Sequence, residues 1–96
     1  MRQTYIVSYD VSNPKRLRKV YKLMRGYGDH LQLSVFRCDL NGRELLELRA
    51  KVGALIHHRE DQVLLVDVGP AEGRGSVSLK AIGRPMAPVH TRAIVV

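Results

Sequence analysis

The sequence predicts an α+β fold, and three observations predict it. Short β-branched and aromatic runs alternate with two stretches of helical apolar spacing. Each helical stretch is announced by an asparagine cap: Asn13 ahead of Pro14, and Asn41 with Glu44 three residues on. Glycine and proline punctuate the joints, at Gly26, Gly28, Gly69-Pro70 and Gly83-Arg84-Pro85. The order is β-α-β-β-α-β with a tail, the split βαβ arrangement called ferredoxin-like, which lays both helices on one face of an antiparallel sheet.

Residues 4–11 read as the first strand, with Tyr5, Val7 and Tyr9 on one face and Ile6, Ser8 and Asp10 on the other. Pro14 suits a first helical position, where its missing N–H costs nothing. From there Leu17, Val20, Tyr21, Leu23, Met24 and Tyr27 form one apolar stripe, ended by Gly26 and Gly28 in a left-handed cap. Residues 30–39 read as a second strand, Leu31, Leu33 and Val35 alternating with Gln32, Ser34 and Phe36. A second helix follows Asn41, carries Leu45, Leu48, Val52 and Leu55, and ends near His57-His58. Residues 62–68 form an apolar strand, 77–82 a fourth strand, and 91–96 a short terminal strand.

A chain of 96 residues is one domain's worth, here a core of about 3–83 and a C-terminal tail of 84–96. The outer sheet face, carrying Ile6 and Phe36, reads as partly apolar, so a second copy is expected to cover it in a homodimer. No run is apolar enough to span a membrane and no signal-peptide pattern opens the chain, which points to the cytoplasm. Cys38 stands alone, which excludes an intrachain disulfide and a cysteine-based zinc site. The charge balance says more. Sixteen Lys and Arg against nine Asp and Glu give +7, a field that favours polyanions such as nucleic acid.

Two features bear on chemistry. Asp10 closes the first strand just before a helix, where a carboxylate holds Mg²⁺ or, alternatively, makes an Asx-type bond that ends the strand. One aspartate per chain is a poor metal site, but two copies of Asp10 facing each other in a dimer would supply two carboxylates. The first helix carries Lys15, Arg16, Arg18, Lys19, Lys22 and Arg25 with no acidic residue. Such a run is either a solvated face or a phosphate-binding one, and a mixed-sign pattern is the more usual form of the former. His30, His57, His58 and His90 have no metal-site spacing, and no nucleophile elbow or P-loop is present.

The run Tyr5-Ile-Val-Ser-Tyr-Asp10-Val-Ser-Asn-Pro-Lys-Arg16-Leu-Arg18-Lys-Val, then Gly26-Tyr-Gly28, then Gln32-Leu-Ser34-Val-Phe36-Arg37, resembles the Cas-two family of CRISPR-associated proteins. Residues 82–85 and the apolar end at 93–96 are similar to that family's tail. The resemblance implies a ferredoxin-like homodimer whose last strand packs on the partner's sheet. It also implies a role in adding spacers to a CRISPR array, with the Cas-one integrase as partner and duplex DNA bound through basic residues. It further implies a metal-dependent endonuclease on RNA or DNA, with Mg²⁺, or alternatively Mn²⁺, held by Asp10. The resemblance matches Arg16 and Arg18, Ser34 and Phe36, with Arg37 following; joined to the basic run, it makes Lys15, Arg16, Arg18, Lys19 and Arg37 the expected nucleic-acid-binding residues and Tyr9, Ser34 and Phe36 the expected lining of a cleft. Three readings therefore stand: a Mg²⁺-dependent phosphodiesterase using Asp10 of both subunits, a non-catalytic adaptor that bridges integrase dimers, and, more remotely, a related ferredoxin-like toxin nuclease.

Overall fold

The computed structural model describes residues 1–86, the side chains of 76 and 77 excepted. The terminal strand expected at 91–96, His90, and most of the tail placed at 84–96 lie outside the described residues. Strand β1 spans Gln3–Asp10, helix α1 Pro14–Arg25, β2 Asp29–Gln32, β3 Val35–Leu40, helix α2 Gly42–Leu55, β4 Gln62–Pro70 and a single turn, α3, Arg74–Val77. The strands form one four-stranded sheet in the order β2-β3-β1-β4, every neighbouring pair antiparallel. No helix among the described residues is long and apolar enough to cross a membrane.

The helix starts are local chemistry. The Asn13 side chain accepts from the N–H groups of Lys15 and Arg16, satisfying donors that the first turn leaves unpaired, and Pro14 opens the helix. Asn41 accepts from Glu44 N while the Glu44 carboxylate accepts from Asn41 N, a reciprocal capping box. Arg2 grips the same Glu44 through Nε at 3.0 Å and Nη2 at 2.8 Å, tying the α2 start to the β1 start. The α1 end departs from expectation. Gly26 caps in the right-handed region at φ −78°, so no left-handed cap is used. Gly28 is needed for another reason: a Cβ there would collide with the Arg37 carbonyl oxygen and Cys38 Sγ.

Both helices lie on one sheet face. Val7, Tyr9, Phe36, Cys38 and Leu40 of the sheet meet Val20 and Met24 of α1 and Leu48 and Val52 of α2, all buried. Burial of each such large side chain contributes about 1.5–3 kcal/mol.

Three expectations are corrected here. The single strand read at 30–39 is a hairpin, β2 and β3 joined by Leu33-Ser34, with a register shift between His30 and Gln32. No non-glycine residue among those described has positive φ, so this turn uses none of the Asn-Gly chemistry that announces most two-residue hairpins. Phe36 pairs with Val7 and so faces the helices, not the outer face it was placed on with Ile6; Ile6 pairs with Arg37. The fourth strand read at 77–82 is absent. The chain there leaves α3, whose Gly75 is pressed against Thr4, and continues without regular structure.

The outer face stays partly apolar without Phe36. Ile6, Val35, Leu64 and Val66 lie there, and Leu64 and Val66 keep 52% and 49% of their surface exposed.

Candidate nucleic-acid interface and strand-end carboxylate

Asp10 is the last residue of β1 and is exposed, opposite Gln62 of β4. Its carboxylate makes no hydrogen bond or ion pair with the described residues. The bland role open to it, capping the turn into α1, is filled by others. Asn13 caps the helix, and Asp61 accepts from the Ser12 N–H at 3.2 Å. Asp10 is thus an uncommitted anion at the rim of the sheet, next to a strongly basic helix.

Helix α1 sorts its six cations into two groups. Lys15, Arg18, Lys19, Lys22 and Arg25 are exposed, and their spacing of three and four residues puts them on one stripe. From Lys15 to Arg25 the stripe rises about 15 Å at 1.5 Å per residue. Arg25 also lies over the Tyr21 ring, 5.9 Å from its centroid.

Arg16, expected among the phosphate-contacting residues, turns inward instead. Its Nε donates to Asp61 Oδ2 at 2.7 Å and its Nη2 to Asp61 Oδ1 at 3.1 Å and to Glu60 Oε1 at 3.2 Å. The Asp61 side chain has no exposed surface and Arg16 keeps 23% of its own. The Arg16 guanidinium, helped by the backbone N–H groups of His57 and Ser12, holds the Asp61 carboxyl well below the usual range against the opposing effect of burial. Asp61 escapes a sequence reading. Its only signal is an acidic pair, Glu60-Asp61, between two basic or apolar stretches, and its main partner lies 45 residues away.

The remaining candidates scatter. Tyr9 and Phe36, read as cleft-lining, are core residues 4% and 0% exposed, their rings 6.2 Å apart, because both point toward the helices. The Tyr9 hydroxyl is buried without a hydrogen-bond partner of ordinary geometry, and burial raises its pKa, with Tyr21 adding to the rise and Ser34 opposing it. Ser34 sits in the hairpin turn, and its backbone carbonyl accepts from Tyr9 N at 3.0 Å. Arg37 points to the outer sheet face, its side chain 15% exposed and its Nε 3.9 Å from Asp39 Oδ1. It is therefore on the opposite side of the sheet from α1 and does not join the stripe.

No group of three or more His, Cys, Asp or Glu side chains among the described residues is placed to hold a metal ion. At this corner the described residues offer Asp10, since the neighbouring Asp61 is already fully hydrogen-bonded. Mg²⁺ commonly takes one or two carboxylates and completes its shell with water and phosphate, and one chain contributes the Asp10 carboxylate to such a shell.

The fold and its rim define a small α+β domain with a four-stranded antiparallel sheet, two helices on one face, a one-signed cationic helix and a free strand-end carboxylate. The family model for "CRISPR associated protein Cas2" matches residues 3–73. The chain is 40% identical over 96 residues, the whole of both chains, to a CRISPR-associated endoribonuclease Cas2 of Geobacter sulfurreducens. It is 37% identical to one of Rhodospirillum rubrum, across 96% of this chain and 89% of that protein. A crystal structure of a Cas2 superposes with TM-score 0.75 at 30% identity, covering 95% and 98% of the two chains. Streptococcus pyogenes Cas2 gives 0.73 at 28% identity, covering 83% and 99%. The chain belongs to the Cas2 family of CRISPR-associated proteins, the Cas-two family it resembles in sequence.

Proposed function

We propose that the protein is a CRISPR-associated, Mg²⁺-dependent endonuclease that works as a homodimer and cleaves phosphodiester bonds with Asp10 of both copies. The observation that carries this reading is the free Asp10 carboxylate: exposed, at the end of β1, and relieved of any capping duty by Asn13 and Asp61. The relatives named endoribonucleases favour RNA as the substrate. Lys15, Arg18 and Lys19 hold the backbone phosphates beside the carboxylate, giving sequence-independent, salt-sensitive binding. Bound Mg²⁺, with Mn²⁺ as a substitute, supplies activation of water and stabilisation of charge on the scissile phosphate. The ferredoxin-like sheet presents Ile6, Val35, Leu64 and Val66 to the second copy, and Arg37 belongs to that face.

The second reading is a non-catalytic adaptor that binds duplex DNA and bridges Cas-one integrase dimers during spacer acquisition. One observation favours it: the cationic stripe is complete within a single chain, whereas the carboxylate set is not.

Side-by-side cleavage of labelled RNA and duplex DNA by wild type and Asp10→Ala, in Mg²⁺, Mn²⁺ and EDTA, separates the two. The endonuclease reading expects metal-dependent cleavage that Asp10→Ala removes while the variant stays folded and dimeric. Absent cleavage, or cleavage that survives in the variant, leaves the adaptor.

A further inference from the structure

We infer that Asp61 is a positioning residue: it ties the Asp10 corner to the turn before β4 and holds the Arg16 guanidinium out of the phosphate-binding stripe. The second half of this statement rests on the nucleic-acid reading above; the first half does not.

Four donors converge on this one carboxylate. They are the N–H of Ser12 at 3.2 Å, the N–H of His57 at 2.7 Å, and Arg16 Nε and Nη2 at 2.7 and 3.1 Å. Two backbone amides and a side-on guanidinium occupy the acceptor sites of the carboxylate. Asp61 therefore serves as a junction and has nothing left for a metal or a substrate.

Three segments meet there: the β1–α1 loop, the first turn of α1, and the 57–61 turn that feeds β4. The placement matters because Asp10 pairs with Gln62, the residue after Asp61. The strand that ends at Asp10 and the strand that begins just after Asp61 run side by side, and Ser12 is held two residues beyond Asp10. The direction in which the chain leaves Asp10 is thereby fixed from both sides.

The same contact decides what Arg16 does. An arginine already neutralised by a buried carboxylate displaces few counterions from a nucleic acid, so it adds little to the salt dependence of binding. The clamp has an unusual signature in consequence. Removing the Asp61 charge loosens the corner and leaves Arg16 with the exposed Glu60 as its remaining anionic partner, so its cation is partly released beside the stripe.

The test is a salt series of binding to a fluorescently labelled DNA duplex, read by anisotropy, together with amide hydrogen exchange. Arg16→Gln is expected to keep the wild-type salt slope, while Arg18→Ala lowers it by about 0.9. Asp61→Asn is expected to steepen the slope by up to about 0.9, and the double variant Asp61→Asn/Arg16→Gln to return it to wild type. Exchange at Ser12 and His57 is expected to accelerate in Asp61→Asn while the β1–β3 ladder keeps its protection. A slope that drops by about one unit in Arg16→Gln overturns the withholding role. Unchanged Ser12 exchange in a folded Asp61→Asn overturns the tether. If Asp61→Asn does not fold, the Arg16→Gln slope decides alone. If the wild type binds no duplex, the nucleic-acid reading fails instead, and exchange at Ser12 settles the tether by itself.

Discussion

Gly75 lies against Thr4 so closely that a Cβ on the glycine would stand 2.6 Å from Thr4 Cβ and 2.9 Å from the Pro70 carbonyl oxygen. Thr4 is itself immobile: fully buried in β1, its hydroxyl donates to Asp39 Oδ1 at 2.7 Å. Neither neighbour has room to retreat. Gly75→Ala is expected to cost about 1–3 kcal/mol, read as a lower urea midpoint. Gly42→Ala, where nothing lies within 4 Å, is the control and is expected to gain about 0.4–1 kcal/mol. Equal midpoints for the two variants would contradict the packing described.

The acid limb of stability is expected to depend on Asp61. Its folded-state pKa is depressed, chiefly by the Arg16 hydrogen bond, so it contributes stability above its unfolded value of about 3.9 and loses it as pH falls toward the folded value. Asp61→Asn should lower Tm at neutral pH, with the gap from wild type narrowing below about pH 4. Thermal unfolding by circular dichroism from pH 7 to pH 2 checks this, and a gap constant across that range speaks against it. Glu44, lowered first by its hydrogen bond from Arg2, carries the same sign.

Lys22 and Arg25 extend the stripe beyond the residues matched by the family resemblance. Each is exposed, so Lys22→Ala and Arg25→Ala should each lower the slope of log K against log salt by about 0.9 on duplex DNA. Fold and Tm should change little. A slope unaffected by both would confine binding to the first two turns of α1.

The apolar outer face predicts the effect of charge placed on it. Leu64→Asp and Val66→Asp are expected to convert the proposed homodimer to a monomer by size exclusion with light scattering, without loss of secondary structure. A dimer that persists in both variants would move the interface elsewhere.

What the sequence reveals here is what is local. The Asn13 and Asn41 caps are readable because cap, donors and first turn lie within four residues of one another. Asp10 is readable because it stands where a strand gives way to a capped helix. The β2–β3 hairpin is not, since Leu33-Ser34 turns the chain without glycine, asparagine or positive φ. Missing that break reverses the face of Phe36, because side-chain direction alternates at every residue. The strand read at 77–82 has little behind it, since only Val77 and Ile82 there are β-branched, and α3 takes up its first residue. Arg16 looks like its five neighbours in sequence, and only the fold brings Asp61 to it.

The one-signed row on α1 also sets dissolved salt to work in two opposite senses. In the free protein, salt screens five like charges from one another and so eases a strain built into the helix. Against a polyanion, the same salt competes for those charges and loosens the hold. The same salt that relieves the helix is accordingly expected to weaken any hold of this row on a polyanion.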